Sequence, residues 1–140
     1  MRFPDVVNVL TKMQYDEKLE LVMFSNGSHV TLRHACSAHN ILSSVFPRSK
    51  VLSVGDVKAY KPSRTAYKHL LKSVGKLGKP EDCILISCNP FDICGAGSMG
   101  MRSVWIDRTN KGWKDQLGGG PTWTFNTFSD LMGFEPQPFE

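Results

Sequence analysis

What the chain has little of narrows its class. No apolar run approaches the ~20 residues that a membrane-spanning helix needs, and Met1-Arg2-Phe3-Pro4-Asp5 passes into a helical pattern without an apolar leader. Neither membrane association nor a secretory signal is therefore expected. Charge of one sign is not concentrated: the net charge is +4, and Lys and Arg are scattered rather than striped, which argues against a nucleic-acid partner. Cys36, Cys83, Cys88 and Cys94 have no CxxC spacing, and the four histidines show no metal-ligand spacing with them, so neither metal nor cofactor is expected. The cysteines read as reduced thiols of a cytoplasmic protein, with Cys88, at a strand tip, the one placed for reactivity. Hydrophobic content of 41% and charge of 21% over 140 residues fit one globular domain spanning 1–140.

What is present centres on Ile84 to Met101 (ILISCNPFDICGAGSMGM). An apolar run over Cys83 to Ile86 reads as a buried strand, Ser87, Cys88 and Asn89 as its polar tip, and the residues behind Pro90 as a helix. In an open α/β sheet, polar groups at a strand's carboxyl end face the crevice where ligands bind. Gly95, Ala96, Gly97 and Gly100 would let that helix lie close to the sheet, at some cost in helix propensity.

Elsewhere, Pro4 suits the first turn of a helix carrying Val6, Val7, Leu10 and Met13. Leu19 to Phe24 reads as a parallel strand buried on both faces, ending at the turn Ser25-Asn26-Gly27-Ser28. A helix is expected over Thr31 to Leu42 and a short strand over Lys50 to Val54. Pro62 is placed as the first residue of a helix with an apolar stripe at Ala66, Tyr67, Leu70, Leu71 and Val74. Arg102 to Ile106 and Thr122 to Phe125 complete the strands, with a helical turn at Phe128 to Met132. This rhythm predicts right-handed crossovers and a parallel sheet with flanking helices. Ser25, Lys61, Ser87, Asn89 and Asp92 then emerge at one edge: one cation, one carboxylate and several neutral donors, suited to a small carboxylate. If Lys61 and Asp92 serve the ligand alone, Lys61→Ala and Asp92→Asn should abolish turnover and spare stability.

Four pieces, Leu21 to Ser28 (LVMFSNGS), Ala59 to Tyr67 (AYKPSRTAY), Ile86 to Ala96 (ISCNPFDICGA) and Val104 to Arg108 (VWIDR), together resemble the haloacid dehalogenase superfamily, and within it the hydrolytic (S)-2-haloacid dehalogenases. The resemblance implies a Rossmann-like core. It implies that Ser25 and Asn26 hold the substrate carboxylate and the attacking carboxylate, that Lys61 neutralises charge, and that Asp92 holds Lys61 and helps to activate water. Tyr67, Ser87 and Asn89 match the remaining site members, and Phe91 stands where the family usually carries a pocket-lining tryptophan. Asn89 replaces one of the acidic residues with which the phosphatase branch binds Mg²⁺, which implies a metal-independent site.

The family begins with a strand bearing a nucleophilic aspartate, followed by a cap, and this sequence shows neither; the fold is expected to be truncated accordingly. Displacement at a halogen-bearing carbon needs a positioned carboxylate, so covalent dehalogenation by this chain alone is not expected. In the family that strand lies between the one ending at Ser25 and the one ending at Ser87. Either these two pair directly, or a second copy or complementary chain fills the gap. Three readings stay open: an enzyme doing non-covalent acid–base chemistry (isomerisation, elimination or cyclisation) on a small carboxylate or carbonyl compound, with His29 beside the Ser25 turn; a dehalogenase-type hydrolase completed by another half; and a non-catalytic binding remnant.

Overall fold

A computed structural model describes residues 4–115 and 118–137. Helix α1 (Pro4–Met13) begins on its proline and buries Val9 and Leu10. Strand β1 (Met23–Ser25), helices α2 (His29–Ser37) and α3 (Asn40–Val45), and strand β2 (Val51–Ser53) follow. Then come helix α4 (Arg64–Ser73), strand β3 (Ile84–Ser87), helix α5 (Pro90–Ser98), and strands β4 (Arg102–Ile106) and β5 (Trp123–Phe125). All the strand pairs among the described residues are parallel, so the expected α/β layering holds.

The strands form two sheets. β1 pairs with β2, Ser25 opposite Ser53; the other sheet runs β3-β4-β5, with Ser87 opposite Trp105. Among the described residues β1 and β3 do not pair, which removes the first of the two arrangements left open by the sequence. Their side chains nevertheless share a core: Tyr67, Leu70, Leu71, Leu85, Ala96 and Met101 pack together, and Phe24 and Leu52 of the other sheet join them with Val22, just ahead of β1. Burial marks the difference between a flanked strand and an edge strand. β4, in the middle of its sheet, is buried at four of its five residues, whereas β1 is only half-buried throughout.

Local departures from the expected elements have local causes. The helix expected over Thr31 to Leu42 is two helices, because His39 turns extended (φ −145°) and its Nδ1 accepts the Ile41 N–H, capping α3. Ser28 caps α2 by accepting the Thr31 N–H. Pro62 lies ahead of α4 rather than at its first position, because Ser63 is the cap and accepts the Thr65 N–H. The apolar run Leu19 to Phe24 becomes strand only at Met23, and Leu19 is largely exposed. The glycines of α5 divide their roles: Gly95 is buried against Tyr67, Gly97 has open space around it, and Gly100 takes a positive φ of 81° beyond the helix end.

Asp5 ties α1 to the rest. It accepts from Arg108 Nη1 (3.1 Å) and Nη2 (3.3 Å), and from the Phe128 N–H (2.9 Å). Burial works to raise its pKa, but the Arg108 and Phe128 bonds together outweigh that and hold the carboxyl below its usual value. A depressed folded-state pKa gives stability that is complete above the unfolded value, about 3.9, and is lost as pH falls through the folded value. Asp5→Asn should therefore cost on the order of 1 kcal/mol of stability at pH 7 and lower the melting temperature accordingly. Thermal melts from pH 7 to pH 2 should show the two proteins converging below about pH 4; an unchanged gap would refute the role.

Candidate functional site at the strand tips

Lys61 is delivered by the segment that leads into α4. Its backbone N–H donates to Asn26 Oδ1 (2.8 Å), which fixes it to the loop after β1. Its Nζ donates to Asp92 Oδ2 (2.9 Å) and to the Phe24 carbonyl (3.3 Å), and lies 4.8 Å from the centre of the Phe24 ring. The lysine thus spans the gap between the end of β1 and the first turn of α5 behind β3. The Lys61 and Asp92 side chains are only 9% and 5% exposed, so the pair is withdrawn from solvent. Tyr67, wholly buried on α4, donates to the other carboxylate oxygen, Asp92 Oδ1 (2.5 Å), and meets the Phe24 ring edge-on at 5.6 Å. Burial first, then the hydrogen bond to Asp92 and its charge, push the Tyr67 phenol well above the usual tyrosine pKa, so it stays a donor.

The neutral groups around this pair share a pattern. Ser25 Oγ accepts the Gly27 N–H, Ser87 Oγ accepts the Asn89 N–H, and Asn26 Oδ1 is taken by Lys61. Each side chain has turned an acceptor to the backbone and keeps hydrogen-donating capacity. Lys61 Nζ likewise has two of its three donors engaged. Both Asp92 oxygens are already occupied, so the edge is rich in donors and short of free acceptors. Trp105 Nε1 pins the β3 tip by donating to the Cys88 carbonyl (3.1 Å).

Of the residues expected at the site, hydrogen bonds join Lys61, Asp92, Tyr67 and Asn26 directly. Ser25 and Ser87 end the strands on either side of the gap, and Asn89 occupies the cap position of α5 without a side-chain capping bond. Phe91 is 43% exposed. His29 is turned elsewhere: its Nε2 pairs with Asp56 (3.0 Å), whose carboxylate also lies 3.8 Å from His69 Nε2. Sequence reasoning missed Phe24, whose carbonyl and ring both meet Lys61, and Ser53, buried and donating to the Gly27 carbonyl (2.8 Å). An aromatic at the last apolar position before SNG was the available signal for Phe24. For Ser53 there was none. Among the described residues no group of three His, Cys, Asp or Glu side chains is placed to hold a metal ion, and no helix is long and apolar enough to cross a membrane.

Parallel strands whose carboxyl ends converge on a buried lysine–aspartate–tyrosine network define a Rossmann-like α/β protein. No protein-family model matches the chain. It is 30% identical to (S)-2-haloacid dehalogenase 1 of Pseudomonas sp. (strain CBS-3) over 78% of its own length and 45% of that relative's. A solved dehalogenase superposes with a TM-score of 0.83 at 27% identity, and an L-2-haloacid dehalogenase with 0.81 at 29% identity, each over 94% of this chain and 55% of the other. The chain belongs to the haloacid dehalogenase superfamily, in the neighbourhood of the (S)-2-haloacid dehalogenases. It spans about half the length of the curated relatives it matches.

Proposed function

We propose that this chain is a haloacid dehalogenase-like protein that holds a small carboxylate at the tips of β1 and β3. Lys61 is the counter-charge, Asp92 and Tyr67 hold the lysine in place, and Ser25, Asn26, Ser87 and Asn89 orient the anion, with Phe91 as an aromatic wall. The observation that carries this is the reach of the buried Lys61 Nζ from the Phe24 carbonyl to Asp92, with one donor left over among neutral donors. A buried ammonium beside a bound anion suits acid–base chemistry, namely isomerisation, elimination or cyclisation of a small carboxylate or carbonyl compound, with Lys61 as the proton donor. The site works without metal, in a cytoplasmic protein.

Calorimetric titration with acetate and with its neutral isostere acetamide tests the anion site. Acetate should bind and acetamide should not. Ser87→Ala, outside the buried pair, should weaken acetate roughly threefold to tenfold, the worth of one hydrogen bond. Equal binding of the two ligands, or an unchanged affinity in Ser87→Ala, would overturn the assignment.

One observation favours a second reading, a dehalogenase-type hydrolase completed by another half: among the described residues β1 and β3 do not pair, although Phe24 and Leu85 share one core. Incubation of this chain alone with (S)-2-chloropropionate should then release no halide above background.

A further inference from the structure

We propose that the cavity between α2, α3 and the turn into β2 is a second ligand site, one for a small organic oxyanion: an apolar body of about ring size that carries a single carboxylate or phosphate. The cavity measures about 150 Å³. That is room for one benzene-sized body and falls well short of the roughly 300 Å³ at which pockets for drug-sized ligands begin, so neither a peptide nor a nucleotide fits. None of the residues assigned to the strand tips lines it.

Its floor is apolar and already packed. Cys36, Phe46 and Val51 form it, and all three are buried members of the core that α2, α3 and β2 share. The Cys36 thiol donates to Met23 Sδ (3.8 Å), and burial pushes its pKa up, so the floor stays uncharged. Val51 and its partner Met23 lie at the amino ends of β2 and β1, two residues back from the strand tips. Backbone bonds fix the walls: the Phe46 N–H donates to the Leu42 carbonyl (2.8 Å), and the Lys50 N–H to the Pro47 carbonyl (2.7 Å), closing the turns that carry Phe46 and Arg48.

The rim supplies the charge. His29, Arg33 and Ser37 recur every four residues along α2 and so share one face, and Arg48 reaches the same cavity from the turn ahead of β2. Arg33 and Arg48 are exposed, and among the described residues neither guanidinium meets an acidic side chain. Each presents a planar fork of N–H donors, which matches a carboxylate or a phosphate. The neighbouring polar groups are committed elsewhere: Ser37 Oγ donates to the His34 carbonyl (3.1 Å), Ser43 Oγ to the Asn40 carbonyl (2.9 Å), and His29 Nε2 pairs with Asp56 (3.0 Å). Recognition of charge thus falls to the two arginines, and recognition of the body to the floor. An exposed ion pair by itself is worth little, so an anion without an apolar body is not retained.

The test is a two-dimensional amide spectrum of the chain titrated in turn with benzoate, phenyl phosphate, benzyl alcohol and acetate. Benzoate or phenyl phosphate should move the amides of Arg33, Cys36, Phe46 and Arg48 and saturate at one equivalent, and the tighter of the two names the head group. Benzyl alcohol, with a ring and no charge, should bind about tenfold more weakly, and acetate, with charge and no ring, should leave these amides unmoved. Arg33→Gln and Arg48→Gln, both at exposed positions, should each weaken the aromatic anion about tenfold. Cavity amides unmoved by both aromatic anions would overturn the site. Equal binding of benzyl alcohol, or an unchanged affinity in both arginine variants, would overturn the anion, and acetate shifts as large as those of benzoate would overturn the apolar body. Aromatic-anion shifts confined to Ser25, Asn26, Ser87 and Asn89 would place the ligand at the strand tips and remove the cavity.

Discussion

Asp92→Ala is expected to lower the melting temperature by roughly 10–15 °C. Removing one member of a buried ion pair strands the other in a medium that solvates it poorly, at about 3–5 kcal/mol, and a domain of this size loses about 3 °C per kcal/mol. Lys61 Nζ would keep only the Phe24 carbonyl, and the Tyr67 hydroxyl would lose its acceptor. Asp92→Asn should cost less, because the amide oxygen still accepts from Tyr67. Exchanging both partners for apolar residues, Lys61→Met with Asp92→Leu, should recover part of the loss, since apolar replacements of buried pairs are often tolerated. This reverses the expectation drawn from sequence that substitution here would spare stability. It was the burial of the pair, invisible in the residue types, that changed the sign. Differential scanning calorimetry decides: a loss under about 2 °C for Asp92→Ala would mean that the pair is solvated in solution.

Gly95→Ala and Gly97→Ala, two residues apart on α5, should move stability in opposite directions. In a helix interior, alanine generally gains about 1 kcal/mol over glycine. Gly97 has nothing within 4 Å of where a methyl would sit, so Gly97→Ala should gain roughly 0.5–1 kcal/mol. A methyl on Gly95 would fall 2.5 Å from Tyr67 Cζ and 2.6 Å from its hydroxyl, against a fully buried ring packed on Phe24. Something must shift, and overpacking of this kind costs about 1–3 kcal/mol. The ring would also be driven from Asp92, so Gly95→Ala should weaken acetate binding as well. Thermal melts of both variants, with near-ultraviolet dichroism reporting on Tyr67, check the pair of predictions. A Gly95→Ala protein as stable as Gly97→Ala would show that the close approach is not real.

Much of the architecture was legible because it follows periodicity. Arg102 to Ile106 is a strand with the expected bounds, and Ala66, Tyr67, Leu70 and Leu71 are the buried face of α4. The meeting of Lys61 with Asp92 was legible too, because both follow strand tips in a parallel sheet and the four quoted motifs resemble one superfamily. What stayed hidden depends on partners distant in the chain. The break at His39 comes from a side chain capping its neighbour in a run that otherwise reads as one helix. The close fit of Gly95 depends on a ring from α4. The division into two sheets reflects that β1 and β3 do not pair among the described residues, and neither strand's own residues signal this.

The most direct measurement is a two-dimensional amide spectrum of the chain titrated with acetate. The largest shifts should fall on Ser25, Asn26, Ser87 and Asn89, around Lys61. Shifts confined instead to the cavity lined by His29, Arg33 and Arg48, with the β1 and β3 tips unmoved, would contradict the account.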